Sequence, residues 1–179
     1  MARISEAIKE DHAQVRRAFH RLSETEPELR KPNDVTGFVW ALERYLIAEH
    51  LVVTPALEYH VANGGDRHRR LSSDHDSMNQ KLKHMLVFDP AEASFDASLM
   101  AIWVDLDPHI NEETSSDLVQ LEESMSQAAS EALRSRYAAI KSLLQKPYGS
   151  GGVPDAQALL AILEMPREDL MAAIGLPSL

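Results

Sequence analysis

The sequence has 179 residues, a length that suits a single domain with a buried core. Apolar residues make up 44%, charged residues 26% and aromatic residues only 6%, which is a globular composition that favours helices over sheets. The net charge of −10 argues against nucleic acid or an anionic lipid surface as a partner. The absence of cysteine excludes disulfide bonds, thiolate catalysis and Cys-ligated zinc.

No targeting or membrane segment is expected. The first nine residues alternate charged and apolar side chains and lack the apolar block of a signal peptide. Nowhere does the sequence approach the roughly 20 consecutive apolar residues that a membrane span requires. The sequence therefore predicts a cytoplasmic protein.

Two amphipathic helices are predicted at the start of the chain. The first has an apolar face that repeats every three or four residues, formed by Ile4, Ile8, His12, Val15, Phe19 and Leu22. A break follows at residues 31–34, where Asn33 or Asp34 is expected to cap the next helix. The second face consists of Val35, Phe38, Leu42, Tyr45, Glu49, Val52 and Ala56.

Two further helices complete a predicted bundle. Residues 63–66 (Asn-Gly-Gly-Asp) stop one helix and start the next. The third face consists of Leu71, His75, Met78, Leu82 and Met85, and the fourth of Phe95, Leu99, Ile102, Leu106, His109 and Glu113. Four such segments joined by short polar breaks predict an all-α, up-down-up-down four-helix bundle.

The C-terminal part is predicted to add helices to this bundle. A fifth helix is expected over residues 126–145, so that residues 1–146 form the bundle. A Gly- and Pro-containing link at 146–152 then leads to two short apolar helices, around residues 159–163 and 170–174. Helices this short do not fold alone. We expect residues 147–179 to dock on the bundle.

Polar residues interrupt the apolar faces, and they indicate function. His12, Tyr45, Glu49, His75, His109 and Glu113 occupy positions where a bundle needs Leu or Ile. An isolated buried carboxylate costs several kcal/mol. The set therefore predicts either a buried hydrogen-bonded network or a metal site. His109 and Glu113 are one helical turn apart, as are Tyr45 and Glu49, so each pair faces the same way.

The metal interpretation depends on the set as a whole, since a single core histidine is usually structural. Glu113 is the least secure member on spacing, because residues 111–114 are polar on every side. The other histidines, His20, His60, His68 and His84, are expected at the surface or its boundary. The charged clusters at residues 67–70 and 105–107 are interpreted as solvated faces, and no internal repeat is visible.

These residues resemble the hemerythrin-like (HHE cation-binding) family over roughly residues 4–123. Asp11-His12 is similar to the motif of the family's first helix, and residues 49–58 to that of the second. Asp74-His75 is similar to the third-helix histidine motif, and His109-x-x-x-Glu113 to the fourth. Each motif is weak alone, but four in order and at bundle spacing are specific.

The resemblance implies two non-haem iron ions, with other divalent metals as alternatives. Glu49 and Glu113 would bridge the ions. His12 would bind one ion, and His75 and His109 the other.

The sequence departs from the family pattern at four points, one of which is the absence of the family's proline after the fourth-helix motif, where Val119 lies nearby. Tyr45 stands where the second-helix histidine normally lies, and His50 replaces the second of two paired glutamates. His50 lies about 100° around the helix from Glu49, so it is expected at a helix interface rather than on the metal. Pro108 precedes His109 and is expected to kink or bulge the fourth helix beside the site.

Tyr45 has three interpretations. It could ligate a metal as phenolate, because a cation lowers the pKa of a bound group. It could instead remain next to the metal as a hydrogen or electron donor, which is why it is also the candidate catalytic residue. Finally, it could be a structural residue whose hydroxyl bonds to Glu49 or to water.

Two classes of function follow. The first is an enzyme, a di-iron oxidase or oxygenase that binds and activates O₂ and acts on a small organic substrate. The alternative is an iron- or O₂-binding or sensing protein without catalytic activity, and a metal-free scaffold is a third hypothesis. The replacement of an imidazole by Tyr45 and the extra C-terminal helices favour the enzyme. Nothing in the sequence identifies the substrate, and fold alone does not determine chemistry.

Overall fold

Helices dominate residues 2–149 and 152–175, which are the residues that this computed structural model describes, and none of them forms a strand. The helices are α1 (Ile4–Glu24), α2 (Pro32–Ala48), α3 (Thr54–His60), α4 (Gly64–Met85), α5 (Ala93–Glu112), α6 (Leu118–Ser124), α7 (Gln127–Gln145), α8 (Ala156–Glu164) and α9 (Arg167–Ala173). The predicted all-α bundle is confirmed.

The bundle has four long helical segments, which we call its arms, and two of these arms each consist of two α-helices joined by a π-helical turn. A π-helical turn at Glu49–Val53 joins α2 to α3, and another at Glu113–Asp117 joins α5 to α6. In each turn the backbone N–H that follows the turn bonds to the carbonyl of the glutamate that begins it, Thr54 to Glu49 and Leu118 to Glu113. Each wide turn adds a residue to the helix without ending the arm. The arms therefore run over residues 4–24, 32–60, 64–85 and 93–124.

The predicted breaks lie where expected, but one cap differs. Neither Asn33 nor Asp34 caps α2, which begins at Pro32 with Lys31 as its N-cap and no side-chain cap. Proline suits this first position because its missing N–H would have no helical partner there. At the next break Asn63 adopts the left-handed conformation, with φ of 58°. A Cβ on Gly64 would lie 2.3 Å from the carbonyl oxygen of Leu57, so only glycine allows this close turn between α3 and α4.

The C-terminal helices form close to the predicted positions. Ser126 caps α7 and Asp155 caps α8 with their side chains. α7 packs against α1 and α2, whereas α8 packs against α2 and α4. Leu159 and Leu163 of α8 and Leu170 of α9 are buried in the hydrophobic core. In the predicted link, residues Lys146–Tyr148 form a 3₁₀ turn, while Ser150 and Gly151 lie outside the described residues. The division of the chain at residue 146 stays a prediction.

A membrane-spanning helix needs about 20 predominantly apolar residues. Among the residues that the structure describes, no helix is both long and apolar enough to cross a bilayer.

Candidate metal centre

One half of the candidate site is built around the carboxylate of Glu49. Its Oε2 atom lies 3.0 Å from Nε2 of His75 and 3.3 Å from Nε2 of His109. One donor atom from each of the three residues lies within 4.8 Å of the other two. We call these three residues the Glu49 group. Donor atoms bound at about 2.1 Å to an octahedral metal lie about 3 Å apart, so this spacing suits a metal ion.

The other half is built around the carboxylate of Glu113. Its Oε2 atom lies 2.7 Å from Nε2 of His12 and accepts a hydrogen bond of 2.6 Å from the Tyr45 hydroxyl. The same hydroxyl lies 3.2 Å from Nε2 of His12. We call His12, Tyr45 and Glu113 the Glu113 group. The hydroxyl is also 3.1 Å from Nε2 of His109, so Tyr45 connects the two groups.

The two groups have matching constructions. Each group combines a histidine from one arm with a glutamate from another arm. Its third member lies one helical turn before the glutamate of the other group: His109 of the Glu49 group precedes Glu113, and Tyr45 of the Glu113 group precedes Glu49. No repeat is visible in the sequence, yet the arrangement of donors repeats. Tyr45 therefore takes the place in the Glu113 group that His109 takes in the Glu49 group. All six predicted site residues lie together, and all six are buried.

The π-helical turns begin at the two glutamates. After Glu49, Pro55 has no N–H to donate and its ring would clash with the carbonyl of Leu51 in a regular helix, so a widened turn before it relieves both problems. No proline follows the turn at Glu113. There the last residue of the turn, Asp117, is fully buried and paired with Arg67 and Arg70 of α4.

Electrostatics in the Glu49 group favour a cation. Burial alone would raise the pKa of Glu49, but the neighbouring His75 and His109 lower it well below its ordinary value. Burial would lower the pKa of His109, but Glu49 and the hydrogen bond with Asp74 raise it to about 10. The two neighbouring imidazoles thus keep the carboxylate ionised, a role that a metal ion can take over.

In the Glu113 group, Tyr45 and Glu113 hold their protons more strongly than these side chains usually do. Burial raises the pKa of Tyr45 well above 10, and the charges of Glu113 and Glu49 raise it further. Burial and the charge of Glu49 also raise the pKa of Glu113, against the opposing effect of His12. A cation placed among these residues would reverse this balance, because it stabilises the carboxylate and the phenolate together.

Each of the two glutamates has a carboxylate oxygen that could bind a metal ion. Oε1 of Glu49 and Oε1 of Glu113 are both buried without a hydrogen-bond partner in the described part of the chain. A buried carboxylate oxygen without a donor is costly. Each glutamate therefore has one oxygen engaged with a histidine and a second available to a cation. The donor set fits a bound metal cation.

One buried carboxylate near the site, that of Glu43, was not predicted. Glu43 of α2 is fully buried, and burial raises its pKa against the lowering effect of Arg167. Its Oε1 accepts a 2.7 Å hydrogen bond from Arg167 of α9. With its amide turned to satisfy both neighbours, Asn79 donates to Oε2 of Glu43 and accepts from Arg167, at 2.7 Å each. Arg167 lies 124 residues from Glu43, so no local pattern could reveal this contact.

Three expectations about neighbouring residues need correction or a more exact form. The cluster at residues 67–70 is not simply solvated, because Arg67 and Arg70 pair with buried Asp117. Pro108 lies within α5, which continues to Glu112, so the widened turn comes after the proline. His50 is partly buried and belongs to neither group, and burial together with the charge of Arg167 lowers its pKa.

Comparisons with known proteins agree with a metal-binding helical bundle. The family model of the hemerythrin HHE cation binding domain matches residues 3–121. The chain belongs to this family. It is also similar to an uncharacterized hemerythrin-like protein of Schizosaccharomyces pombe, with 26% identity over 136 residues that cover 73% of this chain and 64% of that protein. The chain thus spans less than two thirds of that relative's length. A search of solved structures gave no significant match.

Proposed function

We propose that this protein is a non-haem di-iron protein that binds and activates O₂, acting as an oxidase or oxygenase on a small organic molecule. The Glu49 group would hold one ion and the Glu113 group the other. The Oε1 atoms of the two glutamates, which have no hydrogen-bond partner in the described part of the chain, would give each carboxylate a second donor atom for a metal. Iron is favoured over zinc because the family resemblance implies it and because a phenolate is a strong donor to Fe(III).

The position of Tyr45 is the observation that supports this function. Its hydroxyl contacts Glu113, His12 and His109 at 2.6 to 3.2 Å, as a ligand or a near neighbour of a ligand would. A structural tyrosine would need only one partner. An anionic oxygen donor in place of an imidazole stabilises the oxidised metal, which favours reaction with O₂ over its reversible carriage.

The chemistry divides between the ions and the chain. Bound iron would supply the electrons for reducing O₂. Tyr45 would keep its proton while the iron is reduced, in the hydrogen bond that it donates to Glu113, and would release that proton when it ligates oxidised iron as phenolate. Because Tyr45 is 1% exposed and both glutamates are fully buried, bulk water is kept from the site. His109 bridges the groups, lying within 3.3 Å of both Tyr45 and Glu49.

The burial of the site favours the alternative function, an iron- or O₂-binding or sensing protein without a substrate. His12, His75 and His109 are each 3% exposed, so an organic molecule would need a movement of the arms to reach the donor atoms. O₂ is small enough to enter through ordinary fluctuations. The two functions predict different O₂ consumption, since an enzyme turns over and a carrier or sensor binds a fixed amount.

Tyr45→Phe tests the proposal, because ring volume is kept while the oxygen donor is lost. The iron-loaded, oxidised wild type should show a visible phenolate-to-Fe(III) charge-transfer band that this variant lacks. Tyr137→Phe is a matched control, since Tyr137 is also 1% exposed and hydrogen-bonded to a carboxylate, that of Asp11. It should keep the band.

Iron content and O₂ uptake complete the test. Elemental analysis should find close to two iron ions per chain. Uptake of O₂ well beyond the iron content, in the presence of a reductant, supports catalysis, whereas uptake that stops at a fixed ratio to iron supports the binding protein. A folded wild type that binds no iron would refute both. If Tyr45→Phe matches the wild type in spectrum and uptake, Tyr45 has only a structural role.

A further inference from the structure

The three histidines of the candidate centre differ at the ring nitrogen that faces away from the glutamates. Nδ1 of His12 lies 3.1 Å from the hydroxyl of Thr114. Nδ1 of His109 lies 3.3 Å from Oδ2 of Asp74. Nδ1 of His75 is buried and has no partner among the residues that the structure describes. The two groups therefore match in the arrangement of their donor atoms but differ in the partners of the histidine Nδ1 atoms.

We propose that Asp74 is a positioning residue, which fixes the tautomer of His109 and strengthens it as a metal ligand. This inference rests on the proposed metal site. An ionised carboxylate only accepts hydrogen bonds, so Nδ1 of His109 must carry a proton, and a metal ion that displaces the proton on Nε2 finds the lone pair of that atom. That Nε2 atom faces Oε2 of Glu49 and the Tyr45 hydroxyl. A carboxylate partner also raises the basicity of a ligating imidazole.

The surroundings of Asp74 hold its carboxylate in place. Arg70, one turn earlier on α4, lies 3.8 Å from Oδ2 of Asp74 and also pairs with Asp117. Asp117 ends the π-helical turn that begins at Glu113. Arg70 therefore connects the residue that orients His109 with the turn that carries Glu113, so that one ligand of each group is fixed from the same helix.

Asp74 is not needed to fill the core. Its side chain is 36% exposed, whereas that of His109 is 1% exposed. A purely structural interpretation makes Asp74 one member of a surface ion pair with Arg70, and such pairs contribute little to stability. The two interpretations differ in what happens to His109, which is the quantity to measure.

The experiment compares Asp74→Ala and Asp74→Asn with the control Asp76→Asn. Asp76 is exposed on the same helix and makes no ion pair in the described part of the chain, so its substitution changes the charge equally. Long-range ¹H–¹⁵N spectra of the histidine rings, recorded with zinc as a diamagnetic probe, report which nitrogen of His109 carries the proton and which binds the metal. Zinc affinity is measured by competition with a chelator.

In the wild type and in Asp76→Asn, we expect His109 to be protonated at Nδ1 with Nε2 on the zinc. Asp74→Ala should let the zinc-bound ring of His109 use either nitrogen as its ligand atom, so that both tautomers appear, and should weaken zinc binding about 10- to 100-fold, as losses of such partners do. Asp74→Asn, which can still accept a hydrogen bond, should keep the tautomer with a smaller loss of affinity.

The outcomes separate this inference from the proposed function. If the wild type binds zinc and iron but Asp74→Ala retains the tautomer and the affinity of Asp76→Asn, the positioning role is refuted while the metal site stands. If the wild type binds neither metal, the metal site itself is refuted.

Discussion

Glu113 illustrates how a single residue can be uncertain in the sequence and well defined in the fold. Its neighbours at positions 111, 112 and 114 are all polar, so spacing alone could not select the ligand. In the structure Glu112 is exposed, whereas Glu113 is fully buried against His12 and Tyr45. The two adjacent glutamates therefore form a matched pair for mutation.

Glu113→Ala should lose metal more completely than His12→Ala, because a carboxylate shared by two ions serves both and a terminal imidazole serves one. Glu112→Ala should retain the wild-type content. Elemental analysis of iron after anaerobic loading and desalting measures all three, with circular dichroism to confirm folding. Near-normal iron in Glu113→Ala, or its loss in Glu112→Ala, would contradict the assignment.

Sequence periodicity could identify the residues that face the bundle axis but not those buried by later parts of the chain. His12, Glu49 and His109 interrupt apolar faces, so their burial follows from spacing. Glu43 and Asp11 do not lie on these apolar faces, so their burial does not follow from spacing. Glu43 is buried with Arg167, and Asp11 with Tyr137, contacts that span 124 and 126 residues. Their partners are distant in sequence, and a local pattern carries no information about them.

At the scale of elements, the π-helical turns were the main feature that the sequence did not predict. Proline at position 55 marked one of them, since a helix must widen or bend to admit it. Proline at position 108 suggested a distortion of the fourth arm, but the widened turn follows at Glu113–Asp117 instead. There the buried pairing of Asp117 with two arginines accompanies the turn, and this pairing depends on tertiary contact.

The attachment of α9 depends on the contact between Arg167 and Glu43. Arg167→Ala should lower the free energy of unfolding by about 3 kcal/mol, since it leaves a fully buried carboxylate without its charged partner. Urea denaturation measures the loss. Glu168→Ala, which changes an exposed neighbour in the same helix, should lie within about 0.5 kcal/mol of the wild type.

A double variant tests whether the unpaired charge causes that loss. Glu43→Gln with Arg167→Ala replaces the buried charge by a neutral amide, so it should recover part of the stability that Arg167→Ala loses. If the double variant is less stable than Arg167→Ala alone, side-chain packing rather than charge pairing attaches α9.

The hydrophobic core extends beyond the part of the chain that matches the family. The matched region, residues 3–121, contains every predicted ligand. The core continues beyond it, because Tyr137, Ile140 and Leu159 from later helices are each at most 1% exposed. Tyr137 donates a 2.6 Å hydrogen bond to Asp11, which precedes His12. The later helices therefore support the site from outside the matched region.

The unequal donor sets of the two groups should make metal binding sequential. The Glu49 group offers two imidazoles and a carboxylate, whereas the Glu113 group offers one imidazole, a carboxylate and a phenol whose raised pKa opposes loss of its proton. The first ion should therefore enter the Glu49 group. His75→Ala should abolish the tighter step, and His12→Ala should weaken only the second.

Anaerobic Fe(II) titration followed by thermal melting measures these steps. An ion at 100 times its dissociation constant adds about 2.7 kcal/mol of stability, which raises the melting temperature of a chain of this size by about 5–10 °C. The first equivalent should give this rise in the wild type and in His12→Ala but not in His75→Ala. Gln80→Ala, an exposed substitution on the same helix as His75, is the control and should melt as the wild type does at each step. Equal responses of His12→Ala and His75→Ala to the first equivalent would mean that the two groups bind iron equally well, so that the exchange of imidazole for phenol would not distinguish them.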